Sequence, residues 1–268
     1  MSVPMTHTGP EIHVSFVAPA FNEADNLPRL VEEVAAAAAV IGQPWEFVIA
    51  NDSSTDGSDD VLRGLMAQTP QLRVIEVHPR SGQSAALEAG LAAAHGRFIA
   101  TMDADLQNDP AEIPRLLAML VADECDMVNG WRKDRRDPLL RRITTKGGNF
   151  ARNFLTRESI RDSGCGLKVY RREVARKWKL FNGMHRYLPT LAKMNGFRVL
   201  EVPVHHRPRT AGKAKYGFWN RFFKVLRDAV AVRWMQSRNL AYETTEWDRP
   251  QARSAGDSDP KSEMSRTY

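Results

Sequence analysis

The sequence predicts an α/β protein built on a mostly parallel sheet with helices on both of its faces. Short β-rich runs alternate with helical patterns through the first 131 residues, and parallel strands need such crossover helices between them. The β-rich runs are residues 12–18, 47–50, 72–77, 98–102 and 126–129. The helical patterns are residues 26–41, 61–66, 84–94 and 112–121.

The rest of the chain is less regular. Its patterns predict a basic helix over 138–155, a Gly-Cys-Gly turn and a strand over 163–171, and a strand over 197–204. An amphipathic helix is predicted over 218–235, where aromatic and aliphatic residues recur at helical spacing. From about residue 244 the chain is polar, which is typical of a disordered tail.

Composition excludes several classes of protein. Of the 268 residues, 43% are hydrophobic and 26% are charged, which is ordinary for a globular domain and rules out a fibrous or wholly disordered chain. Cys125 and Cys165 are too few for a disulfide scaffold, so a reducing compartment is expected. The N-terminus has no secretory pattern, and no run reaches the roughly 18 apolar residues of a spanning helix. We therefore expect a cytoplasmic protein.

Charge is separated along the chain, although the net charge is only +6. Residues 1–131 hold 6 Arg, no Lys and 19 acidic residues, a net charge of −13. Residues 132–240 hold 28 basic and 7 acidic residues, a net charge of +21, and residues 241–268 carry −2. Such asymmetry indicates that one half of the chain meets anions.

The basic half has three interpretations: a solvated face, a nucleic-acid surface, or an anionic membrane surface with a phosphate ligand. Nucleic acid is disfavoured because the aromatic residues concentrate in the helix over 218–235 instead of being interleaved as stacking platforms. That helix carries aromatic residues on one side and basic residues elsewhere, namely Trp219, Phe222 and Phe223 against Arg221, Lys224 and Arg227. The arrangement suits an interfacial helix. Packing on the protein's own core, or on a second copy in a homo-oligomer, remains the alternative.

The strongest candidate site follows the fourth predicted strand. Asp103 and Asp105 stand two residues apart in a loop, so both carboxylates can reach one Mg²⁺ or Mn²⁺ ion together. The amide oxygen of Gln107 supplies a third ligand or supports the pair. The alternative is a solvated acidic loop that caps the next helix. Ligands of parallel sheets bind beyond the carboxyl ends of the strands, which favours the metal site.

Polar segments also follow the first and second predicted strands. The sequence NDSSTDG at 51–57 offers carboxylates and hydroxyls suited to a base or a ribose, and the alternative is a turn with a helix cap. The segment at 19–23 has the same two interpretations, with a turn favoured. Two single residues are weaker candidates. Cys165 is interpreted as a small buried thiol, and His185 faces an acceptor or packs inside.

Taken in order, these segments carry a resemblance to a known family. VAPAFNE at 17–23, NDSSTDG at 51–57, GQSAAL at 82–87 and MDADLQNDP at 102–110 resemble glycosyltransferase family 2 with its GT-A fold. DSGCGLKVYRRE at 162–173 and RTAGKAKYG at 209–217 are similar to bacterial polyprenyl-phosphate glycosyltransferases, relatives of dolichol-phosphate mannosyltransferase. The resemblance covers roughly residues 12–240.

The resemblance implies a division of the chain and a set of site residues. A flexible N-terminus (1–11) precedes a Rossmann-like GT-A catalytic domain (12–212), a basic, amphipathic and membrane-associated helical extension (213–243) and a disordered tail (244–268). The nucleotide-binding residues it implies are Pro19, Ala20, Asn22, Glu23, Asn51, Asp52, Gln83, Asp103, Ala104 and Asp105. The implied metal ligands are Asp103, Asp105 and Gln107. The residues implied to contact phosphates or the acceptor are Arg132, Arg142, Arg209 and Lys215.

Two departures from the family pattern concern these residues. The family usually shows two consecutive Asp residues where this chain has Asn51 and Asp52, so the preferred base is open. Ala214 replaces a Ser between Arg209 and Lys215, which removes a hydroxyl and keeps both charges.

The implied reaction is an inverting, metal-dependent transfer of a sugar from UDP- or GDP-hexose to polyprenyl phosphate at the inner face of the cell membrane. A phosphate acceptor is largely ionised near pH 7, since its second pKa is about 6, and needs no general base. The alternative is a soluble family 2 enzyme with a hydroxyl acceptor, which needs a base, and Asp162 is the candidate. A non-catalytic regulator that binds sugar nucleotides is the hypothesis from a different class.

Overall fold

The described residues form one mixed sheet of seven strands. The computed structural model describes residues 11–133, 153–207 and 218–240. The strands are β1 (Val14–Ala20), β2 (Trp45–Asn51), β3 (Leu72–Glu76), β4 (Phe98–Thr101), β5 (Met127–Arg132), β6 (Lys168–Arg171) and β7 (Val199–Val204). Their order is β3-β2-β1-β4-β6-β5-β7. Only β6 is antiparallel to its neighbours among these strands, so the predicted mostly parallel sheet is confirmed.

Helices cover both faces of the sheet, as predicted. They are α1 (Leu27–Ile41), α2 (Ser58–Gln68), α3 (Gln83–Ala93), α4 (Ile113–Val121), α5 (Arg172–Arg176), α6 (Leu188–Met194) and α7 (Phe218–Ser237). Neighbouring residues of β1 point to opposite faces. Phe16 packs with α1, α2 and α4 in one hydrophobic cluster, and Val17 packs with α3, α5, α6 and α7 in the other. The sheet is therefore buried between two helical layers.

Three strands run further than the sequence predicts, and one of them, β2, is longer at its carboxyl end by Asn51, which pairs with Glu76 of β3. Pro19 and Ala20, predicted to lie in a loop, pair with Ala50 and Asn51 of β2 as the last residues of β1. The segment 130–132, also predicted as a loop, pairs with β7 as the end of β5. The reason is tertiary, because each strand is prolonged by the neighbour with which it pairs.

Several predicted segments lie outside the described residues. These are the flexible N-terminus as far as residue 10, the helix over 138–155 except for its last three residues, the basic stretch 208–217, and the tail from 241 onward. Residues 153–156 are helical, in agreement with the end of the predicted basic helix.

One face of α7 packs on the protein itself. Ala229 and Val232 are fully buried and belong to the cluster around Val17, while Val230 and Trp234 are 54% and 64% exposed. The predicted helix is confirmed, and packing on the core accounts for one of its faces. Within the described ranges, no helix combines the length and apolar character required to cross a membrane. Contact with a membrane surface or with a second copy of the chain stays a prediction.

A buried carboxylate links the amino ends of four strands. Glu46 Oε1 accepts hydrogen bonds from Ser15 Oγ and the His95 backbone N–H, both at 2.6 Å, and Arg73 Nη1 lies 2.5 Å from Glu46 Oε2. Gly96 N–H donates to Ser15 Oγ at 2.7 Å. Burial by itself would raise the pKa of Glu46, but the hydrogen bonds from Ser15, His95 and Arg73 outweigh it and lower that pKa. The ionised carboxylate therefore stabilises the fold.

We expect Glu46→Gln to lower the free energy of unfolding by about 2 kcal/mol at pH 7, because charged hydrogen bonds contribute more than neutral ones. The folded-state pKa lies below the unfolded-state value near 4.5, so the contribution is complete above that value and is lost as the pH falls through the folded-state pKa. Denaturant unfolding at pH 7 and in acid measures the difference, which should shrink in acid. Glu32→Gln, on the exposed face of α1, is the control, and an equal effect there would refute the assignment.

Candidate active site

The loops that follow β1 and β2 are tied together by hydrogen bonds. Asn22 N–H donates to Ser54 Oγ at 2.9 Å, and Thr55 N–H donates to Asn22 Oδ1 at 2.7 Å. Ala24 N–H donates to Asp56 Oδ2 at 3.0 Å. Because β1 and β2 are parallel and adjacent, these loops meet at the carboxyl edge of the sheet. They form one polar surface there.

Asn51 and Asp52, predicted to face a base, are both buried and both hold neighbouring segments. Asn51 is 1% exposed, and its Nδ2 donates to Asp59 Oδ1 at 2.7 Å. The Asp52 carboxylate accepts from the backbone N–H groups of Ser81 and Gly82, at 2.7 and 2.8 Å. Asp52 thus fixes the entry to α3. Contact of either residue with a base stays a prediction.

The first residues of α3 connect the loops of the site. Gln83 Nε2 donates to Asp103 Oδ1 at 2.8 Å, so these two predicted residues are brought together. The next residue, Ser84, places its Oγ 2.7 Å from His185 Nδ1 and accepts from Gly183 N–H at 2.9 Å. The start of α3 therefore links the carboxylate loop to the turn that contains His185.

The loop after β4 is braced by hydrogen bonds between its own residues. Asp103 N–H donates to Asn108 Oδ1 at 3.1 Å, and Gln107 N–H donates to Asp105 Oδ1 at 3.2 Å. Gln107 Nε2 lies 3.4 Å from His206 Nε2, and an isolated β-bridge joins Asn108 to His206. The carboxylates of Asp103 and Asp105 are thereby held near the end of β7.

The remaining residues predicted to contact the nucleotide line the same edge. Ala20 O accepts from Asp52 N–H at 2.9 Å, and Ala20 and Ala104 are each 3% exposed. Pro19 is half-buried, next to Ala20 in β1. Glu23 Oε2 accepts from the side chain of Asn26 at 2.6 Å. All of them follow or end β1 and β4 and so lie at one edge of the sheet, while their contact with a nucleotide stays a prediction.

Backbone strain concentrates at this edge. Asn22, Ser53 and Leu106 have φ values of 56°, 53° and 59°, and they are three of the five non-glycine residues with positive φ in the described part of the chain. Each stands in the loop after a different parallel strand. Left-handed conformations at such residues are uncommon and persist where the surrounding structure enforces them, often at ligand sites.

The turn before β6 touches the carboxylate loop at a glycine. A Cβ at Gly166 would lie 2.5 Å from Asp103 Oδ2 and 2.6 Å from Asn108 Oδ1, so these side chains would have to shift. Thr101 Oγ1 also donates to Gly166 O at 3.4 Å. Glycine lets the turn come this close to Asp103 without displacing its carboxylate. The Gly-Cys-Gly turn is visible in the sequence, but the contact of Gly166 with Asp103 is not, since it is long-range.

Arg132, at the end of β5, is paired with Asp162. Arg132 Nε and Nη2 donate to Asp162 Oδ2 and Oδ1 at 2.6 and 2.9 Å, and the Arg132 backbone N–H also donates to Asp162 Oδ2, at 3.3 Å. Burial by itself would lower the pKa of Arg132, but the bidentate bond to Asp162 outweighs it and raises that pKa. A permanently charged guanidinium therefore stands beside the site.

A buried lysine completes the charged residues of the site, and sequence analysis missed it. Lys168, the first residue of β6, is 2% exposed, and its Nζ donates to the Cys165 carbonyl. The sequence offered one signal for this residue, since it is a lysine among apolar residues in LKVY. A charge inside a buried strand needs partners. Cys165 itself is fully buried, and burial raises the pKa of its thiol. This bears out its interpretation as a buried thiol.

The oxygen atoms of Asp103 and Asp105 fit a hard divalent cation whose remaining ligands would come from a substrate. Asp103 and Asp105 offer carboxylate oxygens, which Mg²⁺ and Mn²⁺ prefer. Within the described ranges, no cluster of three or more His, Cys, Asp or Glu side chains is suited to hold a metal ion. Among the described residues, Asp103 and Asp105 would therefore need further ligands to hold such a cation. Phosphate oxygens and water would be the usual ones for Mg²⁺ with a phosphorylated substrate, and a contribution from the Gln107 amide stays a prediction.

Three predicted basic residues, Arg142, Arg209 and Lys215, lie outside the described residues. Arg207, the last described residue before Arg209 and Lys215, lies beside the carboxylate loop. Arg207 N–H donates to Gln107 O at 3.0 Å, and the Arg207 guanidinium pairs with Glu33 and Asp109. Arg207 therefore lies at the edge of the site.

The fold and its carboxylate site define an α/β glycosyltransferase of the GT-A type. The profile of the family "Glycosyl transferase family 2" matches residues 15–179, and the chain belongs to this family.

Two relatives with assigned activities share much of the chain. A dodecaprenyl-phosphate galacturonate synthase of Rhizobium johnstonii is 39% identical over 225 residues, which make up 82% of this chain and 66% of the relative. An undecaprenyl-phosphate 4-deoxy-4-formamido-L-arabinose transferase of Salmonella paratyphi A is 35% identical over 228 residues, 84% of this chain and 69% of the relative. The chain thus spans about two thirds of these relatives.

Solved structures support the fold. Glucosyl-3-phosphoglycerate synthase from Mycobacterium tuberculosis, in complex with Mn²⁺, UDP and glucosyl-3-phosphoglycerate, superposes with a TM-score of 0.60 at 16% identity. The match covers 86% of this chain and 81% of that one. Its complex with Mn²⁺, UDP-glucose and phosphoglyceric acid gives a TM-score of 0.63. At this identity the likeness establishes the GT-A fold alone.

We expect Gly166→Ala to weaken the binding of Mn²⁺ and to slow sugar transfer at least about tenfold, because displacing a ligand by about 1 Å has effects of that order. The physical reason is the clash of the new methyl group with Asp103 Oδ2. Titration calorimetry with MnCl₂ measures the binding. The matched control is Gly164→Ala in the same turn, whose methyl group would meet its nearest atom at an ordinary 3.5 Å. Equal Mn²⁺ affinity in the two variants would contradict the assignment.

Proposed function

We propose that this glycosyltransferase transfers a hexose from UDP- or GDP-hexose to polyprenyl phosphate, with inversion at the anomeric carbon. The observation that carries the proposal is the buried Arg132–Asp162 pair beside the carboxylate loop. Asp162 fixes the orientation of the Arg132 guanidinium through Nε and Nη2, and the candidate base is itself engaged in that pair. The two relatives described above are named for transfer to dodecaprenyl and undecaprenyl phosphate, which supports this acceptor class.

On the donor side, the loops after β1, β2 and β4 bind the nucleotide and its diphosphate. Asp103 and Asp105 would hold Mg²⁺ or Mn²⁺, with Gln107 assisting. When bound, the cation neutralises the charge that builds on the departing diphosphate. Gln83 keeps the Asp103 carboxylate oriented through its 2.8 Å hydrogen bond. Asp52 holds the start of α3, and thereby Gln83, in place.

On the acceptor side, a phosphate oxygen attacks the anomeric carbon as the bond from that carbon to the diphosphate oxygen breaks. The products are the lipid phosphosugar and the free nucleoside diphosphate. The attacking oxygen is already ionised near pH 7, so no proton has to be removed. Arg132 binds the acceptor phosphate and reduces the repulsion between the two anions. Arg142, Arg209 and Lys215 are proposed to add to this charge.

A hydroxyl acceptor is the second candidate, and the described residues argue against it. Such an acceptor needs a general base within hydrogen-bonding reach. Asp162, the candidate base, accepts three hydrogen bonds from Arg132 and is 7% exposed. A carboxylate in that bidentate bond is a poor proton acceptor.

We also propose that the enzyme works at the inner face of the cell membrane, in contact with anionic lipids. The acceptor class resides there, and α7 offers Val230 and Trp234 on its outward face. The +21 charge of residues 132–240 suits an anionic surface. α7 would lie along the lipid headgroups while its buried face stays packed on the catalytic domain.

We expect Asp105→Asn to reduce transfer at least about a thousandfold while the melting temperature stays close to that of the wild type, because the loss is one of transition-state charge stabilisation. A donor labelled in its sugar, with undecaprenyl phosphate and Mn²⁺, provides the assay. The wild-type product should partition into organic solvent. The control is Asp60→Asn, whose side chain is 88% exposed.

Two outcomes of that assay would contradict the proposal. A labelled product that stays in the aqueous phase would reject the lipid acceptor. Full activity of Asp105→Asn would reject the metal assignment. Binding of a sugar nucleotide without turnover of any donor would favour the non-catalytic regulator instead.

We expect the double substitution Val230→Ser and Trp234→Ser to reduce sedimentation with anionic lipid vesicles about tenfold. The reason is the lost burial of apolar area in the interface, to which an aromatic ring contributes strongly. Val40→Ser, at a 75% exposed position of α1, is the control for a general loss of surface hydrophobicity. Unchanged sedimentation of the double variant would remove α7 from the membrane contact.

A further inference from the structure

Lys168 is a buried charge that the reaction described above does not use. In the register of the sheet it lies opposite Thr101 of β4 and Asn129 of β5. It thus stands between the strand that leads to the carboxylate loop and the strand that ends at Arg132. At 2% exposure its ammonium group has almost no contact with water, so its charge acts on its neighbours with little screening.

The hydrogen bond of Lys168 places its charge beneath the turn of residues 162–167. Lys168 Nζ donates to the Cys165 carbonyl. The next residue, Gly166, lies against the Asp103 carboxylate. The first residue of the turn, Asp162, holds Arg132. The ammonium group therefore lies within electrostatic reach of two carboxylates, those of Asp103 and Asp162.

The charges of this cluster nearly balance. With Lys168 protonated, Arg132 and Lys168 are positive and Asp103, Asp105 and Asp162 are negative, so the five side chains sum to −1. Burial lowers the pKa of Lys168, while Asp103 and Asp162 act in the opposite direction. A bare divalent cation would reverse the sign of the cluster to +1, whereas a cation that arrives with a diphosphate would not.

We propose that Lys168 is an internal counter-charge that weakens the binding of a bare divalent cation and strengthens the binding of the donor diphosphate. This inference rests on the proposed function in one respect, namely that a cation and a diphosphate both bind at Asp103 and Asp105. A positive charge fixed beside those carboxylates repels Mn²⁺ and attracts phosphate oxygens. The enzyme can thus bind the donor diphosphate before the cation. It retains the cation chiefly when the donor is also bound.

Substitutions that remove the charge separate this role from a structural one. Lys168→Met removes the charge and the hydrogen bond, and Lys168→Gln removes the charge but retains an N–H donor for the Cys165 carbonyl. Lys168→Arg retains the charge. Lys193→Gln is the matched control. Lys193 lies on α6, pairs with Glu158 and belongs to no part of the site. Thermal unfolding verifies that each variant is folded.

Titration calorimetry measures two affinities of each folded variant. The first is that of MnCl₂ without nucleotide, and the second is that of UDP or GDP, whichever the wild type binds, in the presence of EDTA. We expect the Met and Gln variants to bind Mn²⁺ about tenfold more tightly and the nucleotide about tenfold more weakly, the scale of one close charge. The Arg and Lys193→Gln variants should match the wild type.

The opposite signs of the two changes are decisive. Weaker binding of both ligands, or unchanged binding of both, in the Gln variant would overturn the proposal, because general damage to the site cannot increase cation affinity. Wild-type protein that binds neither Mn²⁺ nor either nucleotide would instead refute the proposed function. The two failures are therefore distinguishable in one set of titrations.

Discussion

The antiparallel insertion of β6 between β4 and β5 is the constraint on which the site depends. Parallel strands send their carboxyl ends to one edge of the sheet, and an antiparallel strand sends its amino end there. The turn before β6 is therefore brought to the edge where β4 and β5 end. Asp162, Gly166 and Lys168 reach Arg132 and Asp103 for this reason. Without that inversion the donor and acceptor sides would share no charged partner.

Charge has a different function at the two ends of the sheet. At the amino end, Glu46 is satisfied by Ser15, His95 and Arg73, and the carboxylate stabilises the fold. At the carboxyl end, Asp103 Oδ1 accepts from Gln83 Nε2 and Asp105 Oδ1 accepts from the Gln107 backbone N–H, and these contacts place both carboxylates where we propose that they hold a cation. Strained residues also concentrate at the second end, which fits the general conflict between stability and function.

Much of the fold and part of the site could be predicted because their signals are local. Alternating apolar runs and helical periods located β1 to β5, and polar residues after those strands located the loops of the site. Strand ends were less certain, since Pro19 and Arg132 belong to strands only through pairing with β2 and β7. Gly166 and Lys168 escaped prediction because their reasons lie in contacts with residues distant in sequence.

By itself, the sequence determined the α/β class, the position of the carboxylate pair predicted to bind a metal, and the separation of acidic from basic residues, because each follows from residue type and short-range order. The tertiary structure decided how those charges are arranged. It paired Asp162 with Arg132 and placed Lys168 between the strand that leads to Asp103 and the strand that ends at Arg132. The physical reason is that pairing and burial depend on which strands become neighbours, and strand order in a sheet is not written in any local pattern of residues.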